Sequence, residues 1–179
     1  MENDGLYTDG GVILKNPSKI GGTMAFRWIN NGQVVYEKSG IILPGGMYAM
    51  QLSVSNNLTE FLAMCWGLSK LPMDWYGNVY SDSQVTIGRF SGTYKKFNGI
   101  PYELKQFYQK VKSTFMYWGK IKFILVGGHP TLKELSSGKN KKGFPVSEHN
   151  VWCDKACQAV AKEYLEKIKI NNTEEEYIV

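Results

Sequence analysis

Four acidic residues stand where folding alone would not put them. Asp9 interrupts an apolar strand pattern in Tyr7-Thr8-Asp9-Gly10-Gly11. An Asp-Gly pair can form a hairpin turn, but the apolar continuation Val12-Ile13-Leu14 speaks against one here. Asp82 lies between a short strand pattern and a helical one, in Tyr80-Ser81-Asp82-Ser83-Gln84. It suits a helix N-cap, and equally a side chain at the carboxyl edge of a strand, where open α/β sheets gather their ligands. Glu60 shares a helical face with Met64, Leu68 and Leu71, and Asp154 shares one with Val151, Cys157, Ala161, Leu165 and Ile168. Carboxylates seldom occupy apolar faces unless they are paired or hold a cation. One such acid could be a boundary residue at a helix end, whereas two of them beside two strand acids suggest a cluster. Converging carboxylates cannot all ionise without a compensating charge. Hard oxygen donors with no His or Cys among them favour Mg²⁺ or Mn²⁺ over zinc.

The charge distribution points to the other half of such a chemistry. The 179 residues carry 21 Lys+Arg and 16 Asp+Glu, a net +5. Between Arg89 and Lys142 there are 12 basic residues against Glu103 and Glu134, so this stretch carries +10 and the remainder −5. A basic region of that strength suits a polyanion, nucleic acid first, and also suits a solvated lysine-rich face. A basic surface beside an acidic metal centre is what phosphodiester hydrolysis requires, with two ions about 3.5–4 Å apart dividing the work.

The composition, 43% hydrophobic and 21% charged, is that of a folded chain and excludes a disordered or collagen-like one. No apolar run approaches the ~18–20 residues of a spanning helix, so no membrane partner is expected. The acidic start Met1-Glu2-Asn3-Asp4 runs at once into a strand pattern and does not resemble a signal peptide. Cys65, Cys153 and Cys157 are an odd set that fits reduced thiols, hence a cytoplasmic location.

The elements that must position the acids follow from periodicity and breakers. Strands are expected over 5–14, 23–29 and 33–43, the last two joined by an Asn30-Asn31-Gly32 hairpin signal. Phe61, Met64, Cys65, Leu68 and Leu71 mark a helix over 55–71, capped by Ser55 or Asn56 and stopped by Pro72. A strand at 78–80 and a short helix at 83–90 follow, then a basic loop at 91–100 holding Tyr94, Lys95, Lys96 and Phe97. Aromatic and lysine interleaving there suits a groove tracking a nucleic-acid backbone, and also a packed loop. A helix over 101–117, a strand over 120–126, a long loop at 127–148 and a helix over 149–168 complete the order, with an acidic tail at 169–179 that includes Glu174-Glu175-Glu176. This β-β-β-α-β-α-α-β-α order implies an α/β fold in one domain (1–179, core about 5–168). Its mixed five-stranded sheet has three antiparallel strands and then two parallel ones, flanked by helices.

On these elements the chain resembles the type I branch of the ribonuclease H family, over about residues 5–165. Tyr7-Thr8-Asp9-Gly10-Gly11 resembles the first-strand aspartate motif, followed by the Asn16-Pro17 turn. Ser55-Asn56-Asn57-Leu58-Thr59-Glu60 resembles the start of the first helix, and Tyr80-Ser81-Asp82-Ser83-Gln84 the second aspartate motif. Val126-Gly127-Gly128-His129 resembles the strand-end Gly-His, and the segment from His149 through Asp154 to Ala156 the last helix. The resemblance implies a metal-dependent endonuclease that hydrolyses the RNA strand of RNA–DNA hybrids and leaves 5′-phosphate and 3′-hydroxyl ends. It implies that Asp9, Glu60, Asp82 and Asp154 hold two Mg²⁺ ions (Mn²⁺ as a substitute), with Asp9 bridging. His129 would be the mobile histidine that assists proton transfer or product release; it also suits a plain loop residue before Pro130. Asn16, Ser55, Asn56 and Asn57 would touch the DNA phosphates or the RNA ribose, and Gln84 the backbone near the 2′-hydroxyl. Lys95 and Lys96 would supply backbone contacts, and a monomer is expected.

Two features depart from the family pattern. The 24 residues between His129 and Asp154 far exceed the usual loop, and Leu132–Ser147 with Lys133, Lys139, Lys141 and Lys142 suggests a flexible basic flap over the substrate, or a loop that carries His129 away. His149 is a weaker substitute for it. The Trp-rich basic handle of some members is absent. Two other classes stay open: another nuclease of the same fold, such as a junction resolvase or an exonuclease, and a binding module without catalysis.

Overall fold

A computed structural model describes residues 4–46 and 53–175, with side chains as far as 169. Three strands open the chain: β1 (Gly5–Val12), β2 (Gly22–Asn30) and β3 (Gln33–Ile42). They form an antiparallel meander, with Asp9 opposite Ala25 in the β1–β2 register. Asn31 and Gly32 turn β2 into β3 with φ of 53° and 71°, the left-handed pair that a two-residue hairpin of matching twist needs. After α1 (Asn56–Leu68), β4 (Asn78–Ser81) runs parallel to β1. Helices α2 (Gln84–Ser91) and α3 (Tyr102–Thr114) precede β5 (Lys122–Leu125), which runs parallel to β4. A short α4 (Leu132–Ser137) and a long α5 (Glu148–Glu175) end the described chain. The sheet order β3-β2-β1-β4-β5 puts β1 in the centre. No helix among the described residues is long and apolar enough to cross a membrane.

The sheet separates two apolar layers. On one side, Leu6, Phe26 and Val79 pack against Leu58, Phe61, Met64 and Leu68 of α1 and against Leu104, Tyr108 and Val111 of α3. On the other, Tyr7, Ala25, Ile29, Tyr80 and Val126 pack under Cys153 and Cys157 of α5. Alternation along β1 explains the split, since successive side chains of a strand face opposite ways. All three cysteines are buried free thiols; those of Cys153 and Cys157 lie 3.6 and 3.7 Å from the carbonyls of Tyr7 and Asp9.

Several expected boundaries shift. The first strand stops at Val12, because Leu14 takes φ 65° and is 77% exposed. The helix after Pro101 ends at Thr114, and a 3₁₀ turn at Trp118–Lys120 leads into β5. α1 ends at Leu68, four residues before Pro72. α5 continues through Glu174 and Glu175 where an acidic tail was expected; Glu176 lies outside the described residues. The segment expected to be a flexible flap is instead folded, as α4 followed by a β-bridge between Lys139 and Pro145. A capping box, with the Thr131 and Glu134 side chains each accepting from the other's backbone N–H, starts that short helix.

Candidate active site

Each carboxylate arrives by a different local device. Asp9 lies inside β1, not in a turn, and its Oδ1 accepts the Gly10 N–H at 2.8 Å. Glu60 sits in the first turns of α1, whose N-cap is Ser55, with the Ser55 hydroxyl accepting the Leu58 N–H. Gly10 is what brings α1 close enough: a Cβ there would overlap the backbone of Thr59 and Glu60. Asp82 directly follows β4. It is not the cap of α2, because the Ser83 side chain takes that role by accepting the Thr86 N–H, which leaves the Asp82 carboxylate for other work. Gly128, three residues past the end of the neighbouring β5, passes so near that a side chain there would strike the Asp82 carboxylate.

The outcome is a cluster in which Asp9, Glu60 and Asp82 each offer an oxygen within 4.8 Å of the others. Asp9 and Glu60 are 6% and 4% exposed. Asp154 lines the same cavity, of about 500 Å³, from its rim. Its Oδ2 is 3.3 Å from His129 Nδ1, and Gln158 Nε2 donates to both of its oxygens at 3.0 Å. The fold therefore keeps His129 at the acids despite the long insert, in a left-handed backbone conformation (φ 47°) that a non-glycine residue seldom takes. His149 packs on the Tyr7 ring at 5.1 Å and is not part of the cavity wall.

The electrostatics of this cluster call for a cation. Burial first, then the charges of Asp82 and Asp154, push the Asp9 carboxyl from its usual 3.8 up to about 7. Burial and the Asp9 charge hold Glu60 well above the usual carboxylate range. Asp82 is raised as well, chiefly by burial, with His129 pulling the other way. Glu60 Oε2 is buried with no hydrogen-bond partner, a costly state for a carboxylate oxygen. Divalent ions would satisfy that oxygen and reverse each of these shifts. The donor set is hard oxygen throughout, so it fits Mg²⁺ or Mn²⁺.

Around the cluster, the expected substrate contacts divide. Asn56 lines the carboxylate cavity, and its backbone N–H is held by Asn16 Oδ1 at 3.2 Å, which ties the loop after β1 to the start of α1. Gln84 is exposed and lines a second cavity that shares Asp82. Ser55 uses its hydroxyl as a cap, and Asn57 is exposed beside it without lining either of these cavities. Lys95 and Lys96 are exposed and line neither one. Their loop is tied down by Arg89, which donates to the carbonyls of Lys96 and Asn98. Sequence reasoning missed Gln158; its signal was the i, i+4 spacing from Asp154.

No family model and no curated protein matches the chain. Among solved structures, LC11-RNase H1, isolated from compost by a metagenomic approach and solved in complex with an RNA/DNA hybrid, aligns over 89% of this chain and 97% of its own, with a TM-score of 0.61 and 20% identity. RNase H1 of the halophilic archaeon Halobacterium salinarum NRC-1 aligns over 88% and 96%, at 0.59 and 14%. The N-terminal RNase H domain of rv2228c from Mycobacterium tuberculosis aligns over 91% and 97%, at 0.54 and 15%. The chain has the ribonuclease H fold.

Proposed function

We propose that this protein is a ribonuclease H, a metal-dependent endonuclease that hydrolyses the RNA strand of RNA–DNA hybrids. The observation that carries the reading is the meeting of Asp9, Glu60 and Asp82 oxygens within 4.8 Å, with a buried Glu60 oxygen left unpartnered. The five sequence motifs and the shared fold support it, as does the hybrid bound by LC11-RNase H1.

In this reading Asp9, Glu60 and Asp82, with Asp154 at the rim, are the residues that would hold two Mg²⁺ ions, or Mn²⁺ in their place. When bound, such ions would supply an activated water and neutralise charge at the leaving oxygen, the chemistry that would leave 5′-phosphate and 3′-hydroxyl ends. The remaining work falls to the chain itself. Gln158 holds Asp154 from one side and so fixes the direction in which its carboxylate faces the cavity. His129, 77% exposed and 3.3 Å from Asp154, carries a proton between the site and solvent as the product leaves. Asn56 and Gln84 stand on either side of the carboxylates, where a strand crossing them presents its ribose 2′-hydroxyls; contact with those groups makes the enzyme require RNA. Asn16, Ser55, Asn57, Lys95 and Lys96 contact the sugar–phosphate backbone of the substrate farther out.

Electrophoresis of a labelled hybrid incubated with Mg²⁺ tests the assignment. The wild type should cut the RNA strand, and Asp82→Asn should cut it at least ~10³-fold more slowly while still binding hybrid without metal. Cleavage of branched DNA in preference to hybrid would transfer the chain to the resolvases. Binding without any cutting would make it a non-catalytic module.

A further inference from the structure

The insert that separates His129 from α5 is a built structure with a purpose the carboxylate site does not explain. One carboxylate organises it: Glu134 Oε2 accepts from the Thr131 backbone N–H and hydroxyl, and Oε1 accepts from the Lys141 N–H at 3.1 Å. Asn140 organises the rest, its Oδ1 accepting from the N–H groups of Lys142 and Phe144 at 3.0 Å each and its own N–H donating to the Phe144 carbonyl. The Gly127 N–H donates to the Pro145 carbonyl at 2.8 Å, which fastens this arm to the end of β5. Seven hydrogen bonds are a costly way to hold a solvated loop, and they hold Lys141 and Lys142 in one place.

Between the arm and the sheet edge lies a cavity of about 470 Å³. Asp82 and Gln84 form one wall, and Lys141, Lys142 and Phe144 the other. Asp82 also lines the carboxylate cavity, so the two adjoin at its side chain. The Lys142 ammonium makes no ion pair among the described residues, and the Phe144 ring is 37% exposed. Glu134 also borders the cavity, but its carboxylate is spent on hydrogen bonds inside the arm, which hold it below the usual range. Two lysines and an aromatic ring lining a groove are the means by which proteins grip a sugar–phosphate chain.

We propose that residues 131–147 form a substrate-binding arm whose groove holds the strand being cut, with Lys141 and Lys142 on the phosphates next to the scissile one and Phe144 against the adjoining nucleotide. The proposal rests on the hybrid-cleaving reading above, because a phosphate seated at Asp9, Glu60 and Asp82 continues past Asp82 into this groove. The carboxylates position the bond to be broken, and the arm sets which way the strand runs through the site.

The test uses the full chain and the double variant Lys141→Ala/Lys142→Ala. Both lysines are exposed and enter the arm's hydrogen bonds only through their backbone N–H groups, the Lys141 charge adding only a minor attraction to the exposed Glu134, so circular dichroism should match the wild type. Anisotropy of a labelled hybrid in EDTA, followed over salt concentration, should show binding weakened at least ~5-fold and a log–log salt slope smaller by about 2, one unit per lost phosphate contact. KM should rise by a similar factor while kcat stays within about two-fold. Hybrids carrying single uncharged methylphosphonates then locate the contact. The wild type should lose affinity when the neutral group is in the RNA strand beside the cut, and the variant should be indifferent to it. Equal salt slopes for the two proteins, or sensitivity confined to the DNA strand, would overturn the arm and leave the function intact. Altered slopes in a protein that never cuts hybrid would uphold the arm and refute the cleavage reading.

Discussion

Replacing Asp9 by Asn should make the metal-free protein more stable, although it removes the central residue of the site. The carboxyl is pushed from 3.8 up to about 7 in the fold, so the folded chain binds this proton more tightly than the unfolded chain does. The linked stability is therefore complete below about pH 3.8, is lost as the pH climbs to 7, and stays lost above it. From 3.8 to about 7, at about 1.4 kcal/mol per pH unit, the loss is ~4 kcal/mol. Asn carries no charge and keeps the carbonyl that accepts the Gly10 N–H. Glu60 is hydrogen-bonded to Asp9 and shares part of the penalty, so the expected gain at pH 8 is ~2–4 kcal/mol. For a chain of this size that raises Tm by roughly 5–15 °C. Urea unfolding in EDTA measures it directly: the gain should be full at pH 8, smaller at pH 5.5 and nearly gone by pH 4. Excess Mg²⁺ should then close the gap by stabilising the wild type alone, through preferential binding to its folded state. A variant that is no more stable than the wild type at pH 8 in EDTA would refute the crowded-carboxylate picture, and a gain independent of pH would refute its cause.

Two further substitutions probe the parts around that cluster. His129→Ala should slow turnover on the order of 10²-fold, far less than Asp82→Asn; an unchanged rate would return His129 to the status of a loop residue. Gly10→Ala should cost ~1–3 kcal/mol in urea unfolding by forcing α1 away from β1, and should shrink the Mg²⁺-induced rise in Tm because Glu60 moves with the helix. Unaltered stability together with an unaltered Mg²⁺ response would contradict the close approach of the two elements.

What was legible in the sequence was whatever depends on local pattern. The strand pattern that begins at Gly5, the Asn30-Asn31-Gly32 turn signal and the apolar stripe of α1 are short-range signals, and they were enough for an antiparallel meander continued by parallel strands in a mixed five-stranded sheet; the order of the strands was not among them. The misplacement of Asp9 and Glu60 was legible too, since an acid on an apolar face breaks a pattern that its own neighbours define. The ends of elements were harder, because Leu14 leaves β1 and α1 stops at Leu68 for reasons of packing and capping rather than periodicity.

The sequence by itself determined which groups are on hand: four carboxylates on a mixed α/β chain, set against a basic stretch. Only the tertiary structure decided which groups meet. It put Asp9, Glu60 and Asp82 within 4.8 Å of one another and left Asp154 on the rim between His129 and Gln158. It also turned the long loop after His129 into an arm beside Asp82, and left Lys95 and Lys96 on a loop that lines neither cavity. The physical reason is range. A pattern of neighbours specifies a strand or a helix face, but distances between residues far apart in the chain are fixed by how sheet and helices pack, and at this site by Gly10, which lets the backbones of β1 and α1 touch, and Gly128, which leaves room for the Asp82 carboxylate.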